Sequence, residues 1–185
     1  GHALNADGAR VTGNVFLRGG FTATGAVRLL GAQIDGNLEC DGATLKGGGG
    51  YALTAQGARV TGGVILRRGF TAAGAMDFTE ARIGAFVDEL ACWPTPGDGP
   101  GQGKIGLVGC VYGGVHSEDW DASSRLDWLS RCTLVPGDDG FHPQPYEQLA
   151  KVFRDSGHPE AARIVLIKKD EWQRQSLRGR LPAWG

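Results

Sequence analysis

Four carboxylates have the types and spacing for acid–base work. Asp35 and Glu39 stand four residues apart, and Asp88 and Glu89 are adjacent. Paired carboxylates along a groove can supply one proton donor and one base, the arrangement that cleaves glycosidic bonds. The same four residues also suit a solvated face, which needs acids for no chemistry at all. His2, His116, His142 and His158 are scattered, with no H-E-x-x-H and no i, i+4 pair, so no metal is expected. Cys40, Cys92, Cys110 and Cys132 lie far apart without a C-x-x-C pair and read as small buried thiols. The glycine-rich run at 93–103, WPTPGDGPGQG, lacks the Lys-Ser/Thr and the opening helix of a phosphate loop, and is expected as an exposed loop. Ser117 to Asp121 reads as a polar turn, not a cation loop. No cofactor is implied.

A second chemistry belongs to the end of the chain. Lys168, Lys169, Arg174, Arg178 and Arg180 alternate with Trp172, Leu177, Leu181 and Trp184. Basic groups with interfacial tryptophans are what an anionic membrane surface selects, and a solvated helix end is the plainer reading of the same residues. The whole chain carries a formal charge of −1, which is no footprint for nucleic acid.

The elements that must position these groups follow from a duplication. Residues 3–36 and 52–85 align without a gap at an offset of 49. Each copy contains a finer step of 23, from Gly8-Ala9-Arg10-Val11-Thr12-Gly13 to Gly31-Ala32-Gln33-Ile34-Asp35-Gly36. Between the copies the step is 26, and the excess coincides with Gly47 to Gly50. Apolar residues come in pairs two apart, such as Val15 and Leu17 or Val64 and Leu66, so each pair shares one face of a short strand. With 32 glycines and no Gly-X-Y period, the pattern predicts a mainly β fold. It is a right-handed parallel β-helix of about 23 residues per coil over residues 1–114, with Val11, Ile34, Val60 and Ile83 stacked inward. Residues 104–112 are expected to add the last coil.

Residues 115–185 are expected to form a helical segment. Asp127-Trp128-Leu129 lies in a weak helix, and a helix pair is predicted at about 143–156 and 159–175. In the first, Tyr146, Leu149, Ala150 and Phe153 share a face; in the second, Ala161, Ile164, Val165 and Lys168 align. This hairpin resembles a single tetratricopeptide-type unit. Placed on the last coil, it would cover an otherwise open core and ladder edge.

Taken together, the G-A-x-[IV]-x-G coils, the Trp93-Pro94 loop, Pro143 with Tyr146 to Ala150, Ala161 to Val165, and Arg178-Gly179-Arg180-Leu181-Pro182 resemble a bacterial family labelled "membrane-associated oxidoreductase". The resemblance implies further coils upstream, membrane-spanning helices downstream, and a place on the cytoplasmic face of the bacterial membrane. It does not bring an activity with it, because the residues contain no dinucleotide, flavin or haem motif and no paired thiols. The expected function is therefore a non-catalytic scaffold that meets a protein partner, or itself, through an open solenoid end. Lys168, Lys169, Arg174, Arg178, Arg180 and Trp184 would serve as its membrane junction. Two alternatives stand beside it. One is a carbohydrate-active enzyme using Asp35, Glu39, Asp88 and Glu89; the other is a filament module, since the V-T-G-N-V and V-T-G-G-V units are similar to bactofilin coils.

Overall fold

The computed structural model describes residues 1–97, 101–132 and 141–179. The chain winds as a parallel β-solenoid with two sheets. One contains β1 (His2–Asn5), β4 (Thr22–Ala23), β5 (Ala26–Arg28), β8 (Thr44–Thr54), β10 (Thr71–Asp77) and β12 (Ile105–Gly106). The other contains β2 (Arg10–Val11), β3 (Val15–Phe16), β6 (Gln33–Ile34), β7 (Leu38–Glu39), β9 (Arg59–Leu66), β11 (Arg82–Asp88) and β13 (Val111–His116). Partner registers run Val11, Ile34, Val60, Ile83, Tyr112, which are steps of 23, 26, 23 and 29 residues. The predicted inward stack is present and continues one coil further, into a tyrosine.

The repeat motif has a mechanical explanation at both ends. Its first glycine sits at a left-handed corner: Gly8, Gly31, Gly57 and Gly109 have φ between 62° and 72°. Its last glycine makes room for an asparagine ladder. Asn14 Oδ1 accepts from Asn37 N at 2.8 Å, and Asn37 Oδ1 accepts from Gly63 N at 2.8 Å. A Cβ at Gly36 or Gly62 would stand 2.2 Å from the asparagine oxygen below it. The three extra residues of the second coil fall where expected, between Lys46 and Tyr51, while their partners Ala73 and Ala75 are only two apart.

Beyond the last coil lie α1 (Ala122–Ser130), α2 (Gln144–Asp155) and α3 (Pro159–Gly179). Asp121 caps α1 by accepting from Ser124 N at 2.9 Å, and the Ser124 hydroxyl holds its carboxyl below the usual carboxylate range. Gly157, at φ 84°, ends α2, with His158 N donating to Phe153 O at 2.8 Å. Two sequence expectations are corrected. On α3 the fully buried residues are Ala162 and Val165, with Ala161, Leu166 and Trp172 partly buried against the core, and Ile164 is 50% exposed, because the face that meets α2 and α1 is centred on Ala162 and Val165. The loop opening is also not exposed: Trp93 and Pro94 are buried, with Trp93 packed edge-on to Phe78, Phe86 and Trp128. Residues 98–100 of that loop lie outside the described residues.

The fourth corner breaks the glycine rule, since Glu80 adopts φ 58°. A side chain in this region costs about 1 kcal/mol. Glu80→Gly is expected to stabilise the fold by roughly 0.5–1 kcal/mol, less the entropy the unfolded chain regains. Urea unfolding measures it, and a destabilised variant would refute the strain.

Candidate functional site

The four carboxylates singled out from the sequence are dispersed. Asp88 ends β11 in an inward column that Leu17, Cys40 and Leu66 fill in earlier coils. It is 2% exposed and accepts from Arg125 at 2.8 and 2.7 Å and from Trp93 Nε1 at 2.5 Å. Arg125 reaches it from α1 with no exposed surface of its own, flanked by the Trp128 ring at 5.3 Å. Asp88 therefore joins solenoid to cap, its carboxyl turned to Arg125 and Trp93, and with Glu89 it borders a cleft of about 390 Å³ that Arg67, Arg68 and Glu118 also line. Glu89 sits at the adjoining corner and accepts from Arg68 N at 3.1 Å. Glu39 lies outward on β7, paired with Arg18 at 2.9 Å. Asp35 is exposed in a different column, just past Ile34.

Arg125 carries no motif in the sequence. Its one signal is a position three residues before Trp128, on a helix too short to be persuasive from pattern alone. The buried pair is a registration device more than a source of stability. Arg125 Nε, Trp128 Nε1 and Tyr112 Oη beside it have no hydrogen-bond partner among the described residues, and desolvating two charges offsets most of their attraction.

The open ladder edge of the last coil is closed by two glutamines of α2. Gln144 accepts from Gly109 N at 2.8 Å and donates to Cys110 O at 3.1 Å, and Gln148 donates to Tyr112 O at 2.7 Å. Their i, i+4 spacing puts both on the helix face that meets β13.

The thiols are held neutral. Burial pushes Cys40 and Cys132 up to about 12 and Cys92 to about 11, and raises Cys110 as well, so none is a thiolate nucleophile near neutral pH. Among the described residues no group of His, Cys, Asp and Glu is placed to hold a metal ion. A cleft of about 510 Å³ opens where β13 meets the end of α2, with Gly84, Gly113, His116, Trp120 and Asp155 among its lining residues.

In the basic segment Lys169 is 15% exposed and pairs with Glu147 at 3.2 Å and Asp170 at 3.3 Å. Burial pulls its pKa down, and the two carboxylates outweigh that and raise it. Lys168 pairs with Glu171 at 2.9 Å. Trp172 turns inward, edge-on to Tyr146 at 5.5 Å. Arg174 is exposed. The side chain of Arg178, and Arg180 and Trp184 altogether, lie outside the described residues. No helix among the described residues is long and apolar enough to cross a membrane. Comparisons with protein families, with curated proteins and with solved structures find no match to the chain.

Asp88→Ala should leave a buried guanidinium unpaired and cost about 3–5 kcal/mol. Asp88→Leu with Arg125→Met, which continues the apolar column, should recover to within about 1 kcal/mol of the parent. Thermal unfolding of the three proteins checks this, and a single variant as stable as the parent would refute the junction.

Proposed function

We propose that this chain is a non-catalytic display module: the solenoid presents its outer sheet faces, and the outward side of α3 lies against an anionic membrane surface. One observation carries the reading. With Ala162 and Val165 filling the inward side of α3, three large apolar residues still face solvent, Ile164, Ile167 and Leu177, at 50%, 46% and 58% exposure. Arg174 stands among them with no ion pair among the described residues. An amphipathic helix with apolar groups and a free cation outward suits the headgroup boundary of a membrane. Lys168 and Lys169, already paired, contribute less to this surface than their charges suggest. The resemblance noted in the sequence points to the same place.

A second reading, coil-on-coil self-association, is favoured by the first coil. Val11 and Val15 are only partly buried, while Ile34 and Leu38 in the same columns are closed off. The strands β1, β2 and β3 also leave one ladder edge unpaired among the described residues. Sedimentation equilibrium should show concentration-dependent pairing that Val15→Lys abolishes; a parent that stays monomeric at all concentrations would reject this reading.

For the membrane reading, co-sedimentation with vesicles containing phosphatidylserine is expected at low salt and not with neutral vesicles, since each basic group near an anionic leaflet is worth about 1 kcal/mol. The double variant Ile164→Asp, Ile167→Asp should lose binding with its melting temperature unchanged. Binding indifferent to lipid charge, or retained in that variant, would reject the junction.

A further inference from the structure

The arginines of the solenoid divide into two sets. Arg18 pairs with Glu39, Arg28 with Asp7, and Arg67 and Arg68 with Asp41. Arg10, Arg59 and Arg82 are exposed, and their side chains have no hydrogen bond or ion pair among the described residues. These three share one outward column, in the register Arg10, Gln33, Arg59, Arg82. Arg59 and Arg82 are direct neighbours on adjacent strands, about 4.8 Å apart along the solenoid axis. Like charges placed opposite each other destabilise a sheet, so the fold gains nothing from this placement.

The surroundings say what kind of anion would fit. The next outward column holds Thr12, Asp35 and Thr61, all exposed, and gives way above Thr61 to Gly84 and then Gly113, which line the 510 Å³ cleft. The arginine column itself runs on into Val111, 43% exposed, while the neighbouring column, with hydroxyls at Thr12 and Thr61, leads into the cleft that Trp120 lines. Asp155 in that cleft is already matched by Lys151. A plane of lipid phosphates would meet Asp35 together with the arginines, and Val111 is the single apolar side chain these two columns would offer it among the described residues. Single-stranded nucleic acid would need exposed aromatic rings for its bases, and none lies in these columns. A thread of sugars bearing carboxylates can follow the arginines and leave Asp35 to one side. Guanidinium takes carboxylate by two parallel hydrogen bonds, and threonine hydroxyls suit sugar hydroxyls.

We propose that the Arg10, Arg59 and Arg82 column is a docking strip for a linear acidic polysaccharide. It is independent of the membrane reading, because it uses another face of the molecule. Affinity electrophoresis of the whole chain through gels containing polygalacturonate or neutral amylose tests it. The parent should be retarded by polygalacturonate alone, in a salt-sensitive manner. Arg59→Gln with Arg82→Gln should weaken the retardation at least about tenfold, with a melting temperature equal to or above the parent's as the repulsion is removed. Arg174→Gln, on α3, should bind polygalacturonate as the parent does. No retardation of the parent, or undiminished retardation of the double variant, would overturn the proposal. So would binding of a single-stranded oligonucleotide or of phosphatidylserine vesicles that the same double variant abolishes, which would give the strip to another class of ligand.

Discussion

Vertical register governs this molecule. Each coil adds to the one below through a parallel ladder, so every residue inherits a column and must suit what stands above and beneath it. That constraint explains the sequence residue by residue. Glycine opens the motif because the corner is left-handed, and glycine closes it because an asparagine oxygen from the coil below occupies the space where a Cβ would be. An insertion survives only where the ladder can tolerate a slip, as between Lys46 and Tyr51. Aliphatic residues recur inward because each side chain packs on its own equivalents about 4.8 Å away.

A register that can propagate must also be stopped. The column of Leu17, Cys40 and Leu66 ends in Asp88, a residue no further coil could stack on without burying an unmatched charge. Arg125 accepts that charge from the cap, and its bidentate geometry fixes where α1 sits. Trp93 and Trp128 close the core around the pair, edge-on to each other at 5.1 Å. Gln144 and Gln148 then satisfy the backbone groups that the next strand would have taken. Side-chain charge, aromatic volume and amide hydrogen bonds thus each terminate one feature of the stack: its column, its core and its edge.

How much of this the sequence displays depends on whether a feature repeats. Val11, Ile34, Val60 and Ile83 are legible because four instances of one motif align, and the glycine tract is legible as a departure from the period. The helix pair is legible from apolar spacing, although on α3 it is Ala162, not Ala161, that is fully buried, and Ile164 faces out. Features that occur once are not legible. Asp88 looks like a surface acid beside Glu89, and only the register shows that it occupies a core column. Arg125 looks like an ordinary helix surface residue. Trp93, at the head of a Pro- and Gly-rich run, looks like a loop residue, yet the open end of the core needed its ring.

The outward columns obey a looser rule, and function is best sought in them. An inward position is dictated by volume, and a corner by backbone angle, so little freedom is left to either. An outward position needs only to tolerate water, and a fold concerned with stability alone would set opposite charges next to each other there, as it does for Arg18 with Glu39 and Arg28 with Asp7. Arg59 and Arg82 depart from that economy in the first x position of G-A-x-[IV]-x-G, one of the two places in the motif that packing and backbone geometry leave open. The second coil carries Gln33 there, so the motif itself does not require arginine. Among the described residues nothing in the core, the corners or the cap pairs with Arg10, Arg59 or Arg82, and it is this that the proposed acidic ligand would supply.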